Sequence, residues 1–103
     1  DFSLLTLEHI LPESPDGQWI DYFGKDDYNE HIDRLGNMTL ASKELNRDLD
    51  RKSFDEKKEL LSSNNLKITE KIQDYEIWNS DAVNDRQNWM ATYAVQKWKI
   101  QFN

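Results

Sequence analysis

The chain has 103 residues, enough for one domain with a modest core, and no cysteine, which excludes disulfides and thiolate metal sites and fits an intracellular, cytoplasmic setting. Its formal charge is −7, an unfavourable balance for nonspecific DNA binding, because phosphate contact draws on Lys and Arg. The charge is segregated: residues 1–33 hold nine acids and one base, whereas residues 34–103 hold twelve bases and eleven acids.

No apolar run approaches the length of a membrane span and no segment has the form of a signal peptide, so a membrane is not an expected partner. The sequence opens Asp1-Phe2-Ser3-Leu4-Leu5, already inside an apolar run, and reads as a module taken from a longer protein. Residues 2–11 are apolar, end at Pro12, and predict a strand running into a turn. Residues 12–33 carry both prolines, Gly17 and seven acids and read as a long loop, part of which packs down as a helical turn through Trp19, Ile20, Tyr22, Phe23 and Tyr28. Residues 34–41 predict a second short strand.

Helices follow. Ser42 is placed to cap a helix through about residue 51, with Leu45 and Leu49 on one face. Ser53-Phe54-Asp55-Glu56 has the capping-box form and opens a helix through about Ser62. A turn at Ser63-Asn64-Asn65 precedes a short helix from Ile68 to Tyr75. Ser80 then caps a long final helix whose apolar side carries Val83, Met90, Ala94 and Trp98, flanked by Ala82, Trp89 and Tyr93.

Among residues with chemistry to offer, His9 stands in Glu8-His9-Ile10-Leu11-Pro12 at a strand end. Imidazole titrates near neutrality and takes a proton from water at working pH, and a carboxylate oxygen suits a hard ion. For Glu-His alone the plainer reading, a half-buried histidine beside a surface glutamate, is the stronger. Asn46 lies inside a short helix, where asparagine is a poor helix former; it is either an exposed or capping residue or an amide oxygen for a metal site. His31 reads as an incidental loop histidine. There is no Gly-rich phosphate loop, nucleophile elbow, His-Glu-x-x-His motif or calcium-loop spacing.

Glu8-His9-x-x-Pro12, a variable loop, Arg34-Leu35-Gly36-Asn37-Met38-Thr39-Leu40 and Leu45-Asn46 together resemble the HNH (His-Me finger) domain at the C-terminus of GmrSD-type modification-dependent restriction enzymes. Phe54-Asp55-Glu56-Lys57-Lys58 and the stretch from Trp78-Asn79 to Arg86 match the same family, so the resemblance spans nearly the whole chain. It implies His9 as the base that activates water, Glu8 and Asn46 as metal ligands, and Asn37 as the residue that braces the loop and orients the histidine. Two departures matter. Glu8 stands where many HNH nucleases carry aspartate, which allows binding through water; asparagine replaces histidine at the last position, which favours magnesium or manganese over zinc.

The resemblance further implies an N-terminal nucleotide-binding and modification-sensing partner domain, and a role in restriction and antiviral defence. For the DNA substrate, Lys43, Arg47 and Arg51 recur every four residues and line one face of the Asn46 helix, with Lys57 and Lys58 extending the positive area; a salt-bridged surface built with Glu44, Asp48 and Lys52 is the competing account. The expected architecture is α+β: one domain with a two-stranded ββα-metal core, about residues 1–52, and a helical C-terminal cap, about 53–103. The expected function is metal-dependent DNA hydrolysis. The alternatives are a noncatalytic DNA- or protein-binding module that keeps the fold, and a purely structural acidic helical domain.

Overall fold

Two antiparallel strands, β1 (Leu5–His9) and β2 (Met38–Ser42), pair in the register Leu5↔Ser42 to His9↔Met38 and form a two-stranded sheet. The computed structural model describes residues 5–50, 52–63 and 66–102, the last six as backbone alone. Expectations that fell on residues 2–4, on Arg51, on residues 64 and 65 and on the Trp98 side chain lie outside the described residues. The architecture is α+β, with helices around one small sheet.

Both strands are shorter than their apolar runs. Past His9 the backbone amides turn inward: Ile10 N–H donates to the Asn37 carbonyl at 2.8 Å, so the ladder ends there while Ile10 and Leu11 enter the core. On the other strand, residues 35–37 form a 3-10 turn. Gly36 explains why. A Cβ there would lie 2.2 Å from the Val83 carbonyl oxygen, and the Gly36 carbonyl is taken by Arg86 at 2.7 Å, so this backbone is committed to the final helix.

The segment read as a loop contains two helices, α1 (Gly17–Phe23) and α2 (Asn29–Ile32). Asp16 caps α1 by accepting from Gln18 N–H, and Gly24, at φ 59, ends it in the left-handed region that suits glycine. Trp19 and Phe23, one helical turn apart, bury their rings, with Trp19 edge-on to Phe54 at 6.3 Å.

Two of the three expected serine caps stand where expected. Ser42 accepts from Leu45 N–H at the start of α3 (Lys43–Leu49), and Ser53 and Glu56 make a reciprocal capping box on α4 (Phe54–Leu61). The helix expected near Ile68 is one turn of α-helix, α5 (Lys67–Glu70), continued by a 3-10 turn over Lys71–Asp74. The final helix α6 (Ser80–Phe102) is capped one residue earlier than expected: Asn79 Oδ1 accepts from Ala82 N–H at 2.9 Å, while the Ser80 hydroxyl donates to Asp26.

Among the described residues one core runs from Ile10, Leu11 and Trp19 through Leu49, Phe54 and Leu61 to Ile72, Trp78 and Val83. Among the described residues the core tryptophans are Trp19 and Trp78. Trp89 is only half-buried, stacked on Tyr93 with ring centroids 5.3 Å apart, and Ala94 is exposed, so the inward face of α6 has faded by Ala94. Its buried polar member is Arg86, which donates to the carbonyls of Gly36, Met38 and Ile68, each at 2.7 Å, and so ties β2 and α5 to α6. Burial lowers the Arg86 pKa.

Candidate active site

Strand alternation sends Glu8 inward, opposite the buried Thr39, and leaves Leu7 exposed on the other face. The strand stops at His9. Five consecutive backbone polar groups then need partners away from the sheet, and two side chains and one carbonyl supply them. Lys57 Nζ donates to the carbonyls of His9 (3.0 Å) and Ile10 (2.9 Å). Asn37 supplies its own carbonyl to Ile10 N–H, its Oδ1 to Leu11 N–H at 2.8 Å, and its Nδ2 to the Leu11 carbonyl at 3.0 Å.

Asn37 is wholly buried. Its remaining bonds run from Nδ2 to the Ile32 carbonyl (2.8 Å) and from Trp78 Nε1 to Oδ1 (2.9 Å). Every donor and acceptor of the amide is used inside the protein, so Asn37 fixes the turn that carries His9 and does not face solvent.

His9 is half-buried, and its Nε2 lies 3.3 Å from Asp33 Oδ1. An ionised carboxylate only accepts, so Nε2 is the nitrogen that donates. In the neutral ring this leaves Nδ1 with the free lone pair, on the side of Glu13, whose Oε1 is 3.8 Å away. His31 stays apart from this arrangement: it is buried against Phe23, with Nδ1 3.0 Å from the Asp27 carbonyl.

A polar cleft of about 380 Å³ opens at this strand end, lined by Glu8, His9, Glu13, Asn46, Asp50 and Lys57 among others. The sequence-predicted residues Glu8, His9 and Asn46 therefore share one cavity. Asn46 is oriented by its amide nitrogen, which donates to Thr6 Oγ1 at 2.8 Å and to the Leu7 carbonyl at 3.2 Å, leaving the amide oxygen uncommitted. Asp50, one helical turn beyond Asn46, and Asp33 and Glu13 beside His9 were not singled out from sequence. The four-residue spacing from Asn46 was the available signal for Asp50; nothing local marked Asp33.

Glu8 is buried, with Oε1 3.4 Å from Lys57 Nζ and Oε2 without a hydrogen-bond partner. Burial pushes the Glu8 carboxyl above its usual range and the Lys57 ammonium below, and their mutual attraction opposes both shifts. Among the described residues no cluster of three or more Asp, Glu or His side chains is disposed to hold a metal. The donors present are hard oxygens: an orphaned carboxylate oxygen on Glu8, the free amide oxygen of Asn46, and Asp50 beside them. Few protein oxygens and room for water fit an ion such as magnesium, which keeps much of its hydration shell.

The basic surface differs from expectation at two positions. Lys57 is 1% exposed and Lys58 is turned to the Tyr75 carbonyl at 2.6 Å, so neither extends a positive face; Lys57 lies on the inward stripe of α4 with Phe54 and Leu61. Lys43 and Arg47 are exposed on α3 and border, with Asn46 and Asp50, a groove adjoining the cleft. Among the described residues neither takes part in an ion pair. The aromatics of the acidic segment pack into the core as expected, and two of its acids, Glu13 and Asp33, sit at His9.

An antiparallel strand pair followed by a helix, with an acid–histidine turn and a helix asparagine meeting in a polar cleft, defines an α+β domain built around one candidate acid–base site. The family model for the C-terminal domain of GmrSD restriction endonucleases matches residues 1–93, and the chain belongs to that family. No curated protein and no solved structure matches it. No helix among the described residues is long and apolar enough to cross a membrane.

Proposed function

We propose that the chain is a metal-dependent DNA endonuclease domain of the HNH (His-Me finger) type, its β1–β2–α3 unit forming a ββα-metal core and its later helices a cap. The observation that carries this reading is that Asn46, far away in sequence, meets the neighbouring pair Glu8 and His9 around one cleft. His9 is the general base: the Asp33 carboxylate holds the Nε2 proton and leaves Nδ1 to accept one from water. Asn37 is a positioning residue, acting through the Ile10–Leu11 backbone. Glu8 and Asn46 would hold magnesium or manganese, and the ion, when bound, would supply Lewis-acid stabilisation of the scissile phosphate and the departing 3′ oxygen.

DNA phosphates flanking the scissile bond lie along α3 against Lys43 and Arg47, with Arg51 continuing the four-residue series; phosphate contacts of this kind position a duplex without reading its sequence. The biological setting is cytoplasmic restriction of foreign or modified DNA, with an N-terminal nucleotide-binding and sensing domain in the same protein. A plasmid-nicking assay with magnesium or manganese, comparing the native chain with His9→Ala, tests the reading. Nicking by the native chain and none by the variant is expected. Native protein that binds DNA without cutting in either ion would make the chain a noncatalytic module.

A further inference from the structure

The two oxygens of Glu8 have different surroundings. Oε1 faces the Lys57 ammonium at 3.4 Å; Oε2 is buried and has no hydrogen-bond partner. Lys57 is itself over-determined. An ammonium carries three protons, and three acceptors surround this one: the His9 carbonyl, the Ile10 carbonyl and Glu8 Oε1. Its Nζ also lies 5.4 Å from the Trp19 ring centroid, so moving the side chain away would break contacts on every side.

We propose that Lys57 is a positioning residue of the metal site: it confines Glu8 to ligation through a single oxygen while tying that carboxylate to the turn that carries His9. The inference rests on the reading of the cleft given above. A carboxylate binds a cation through one oxygen or chelates it through two, and with Oε1 held by an ammonium only Oε2 remains available. One-oxygen ligation matches an octahedral ion that retains several waters and accepts one or two protein carboxylates. The same ammonium donates to the His9 carbonyl, so the metal ligand and the base share one anchor. Losing a supporting contact around a ligand typically costs 10–100-fold in metal affinity, which sets the scale of effect expected here, while the sign follows from whether a substitution frees or occupies Oε1.

Two substitutions separate this role from a merely structural one, read as Mn²⁺ binding to the chain without DNA by electron paramagnetic resonance. Lys57→Met removes the charge and frees Oε1, and affinity should rise at least tenfold. Lys57→Arg keeps the charge but presents a planar fork able to engage both carboxylate oxygens, and affinity, measured on protein shown to be folded by circular dichroism, should fall at least tenfold. Weakening in both variants, or in neither, overturns the assignment.

A third measurement needs no Lys57 variant. The infrared difference spectrum on adding Mg²⁺ to the native chain, referenced to Glu8→Gln, should show a Glu8 carboxylate splitting wider than that of the free ion, the mark of one-oxygen binding. A narrowed splitting, from chelation, overturns the assignment even where Lys57→Met does not fold. A native chain that cuts DNA with magnesium yet fails these tests refutes the role of Lys57 alone. A native chain that neither binds nor cuts with any divalent ion refutes the reading of the cleft and this inference with it.

Discussion

The indole N–H of Trp78 donates to the side-chain oxygen of Asn37 at 2.9 Å, and through that one amide the helical half of the chain is joined to the turn bearing His9. Removing the amide leaves the Leu11 and Trp78 N–H groups and the Leu11 and Ile32 carbonyls unpaired in the core. An unsatisfied buried group costs about 1–3 kcal/mol, so Asn37→Ala should destabilise the fold by at least about 3 kcal/mol in urea titration. Trp78→Phe should cost about 1 kcal/mol for the hydrogen bond plus its packing loss. Because the two share a contact, the double variant should lose less than the sum. Strict additivity would show that the amide and indole are not coupled.

His9 behaves differently, since its ring sits at a strand end and its partner Asp33 is exposed. His9→Ala should keep the melting temperature within a few degrees while lowering cleavage by about 10²–10⁴-fold, the range of general-base assistance. A large fall in melting temperature would mark the ring as structural instead.

Metal removal gives a third expectation. With hard oxygen donors from Glu8 and Asn46 and no thiolate in the chain, cleavage should stop on exhaustive chelation and return with magnesium or manganese, not with zinc. Cleavage that survives chelation removes the basis of the mechanism.

The elements that were legible in the sequence are those whose cause is local. Ser42 and the Ser53–Glu56 box satisfy helix amides three residues away, so spacing alone reveals them. The same holds for the Trp19–Phe23 stripe, which was readable in the acidic segment although its prolines and acids made it look like a loop. Glu8, His9 and Asn46 became legible as a set only through the order of four motifs. What the sequence hid was set by distant partners: Lys57 has the appearance of a surface lysine until the His9 and Ile10 carbonyls are seen around it, and the path of Gly36 depends on the approach of α6. The Asp33 contact with His9 closes over the whole acidic segment, and no local pattern encodes it.

The direction of the Glu8 shift carries a pH dependence. Its folded pKa is raised above the ordinary 4.5, chiefly by burial, so between that value and the folded pKa the native state binds more protons than the unfolded state. Stability attributable to Glu8 is therefore greatest below pH 4.5 and declines as pH rises through the folded pKa. Glutamine does not titrate. The stability of Glu8→Gln minus that of the native chain should thus drift in favour of the variant from pH 4.5 toward neutrality, whatever its offset from losing the Lys57 pairing. Denaturant titrations at several pH values measure the drift, and the opposite slope would place the Glu8 pKa below the ordinary value.

The acidic segment gives the last test, because it bears on how an acidic chain holds DNA. Asp26 and Asp27 are exposed, and Asp26 is engaged by the Ser80 hydroxyl at the start of α6, whereas Lys43 and Arg47 border the groove beside Asn46. Exposed charges separated by more than roughly 10 Å are largely screened at ordinary salt. Asp26 and Asp27 line neither the cleft nor the adjoining groove, so neutralising both, as Asp26→Asn with Asp27→Asn, should change DNA affinity only slightly. Arg47→Ala should weaken binding and flatten its dependence on salt, since one phosphate contact fewer releases fewer counterions. Glu13 and Asp33 stand closer, at His9 itself, so Glu13→Gln is the informative control: it should tighten DNA binding more than the Asp26/Asp27 pair does. If neutralising Asp26 and Asp27 instead tightened binding tenfold, about 1.4 kcal/mol, those acids would have to lie against bound DNA, and the path along α3 would be the wrong one.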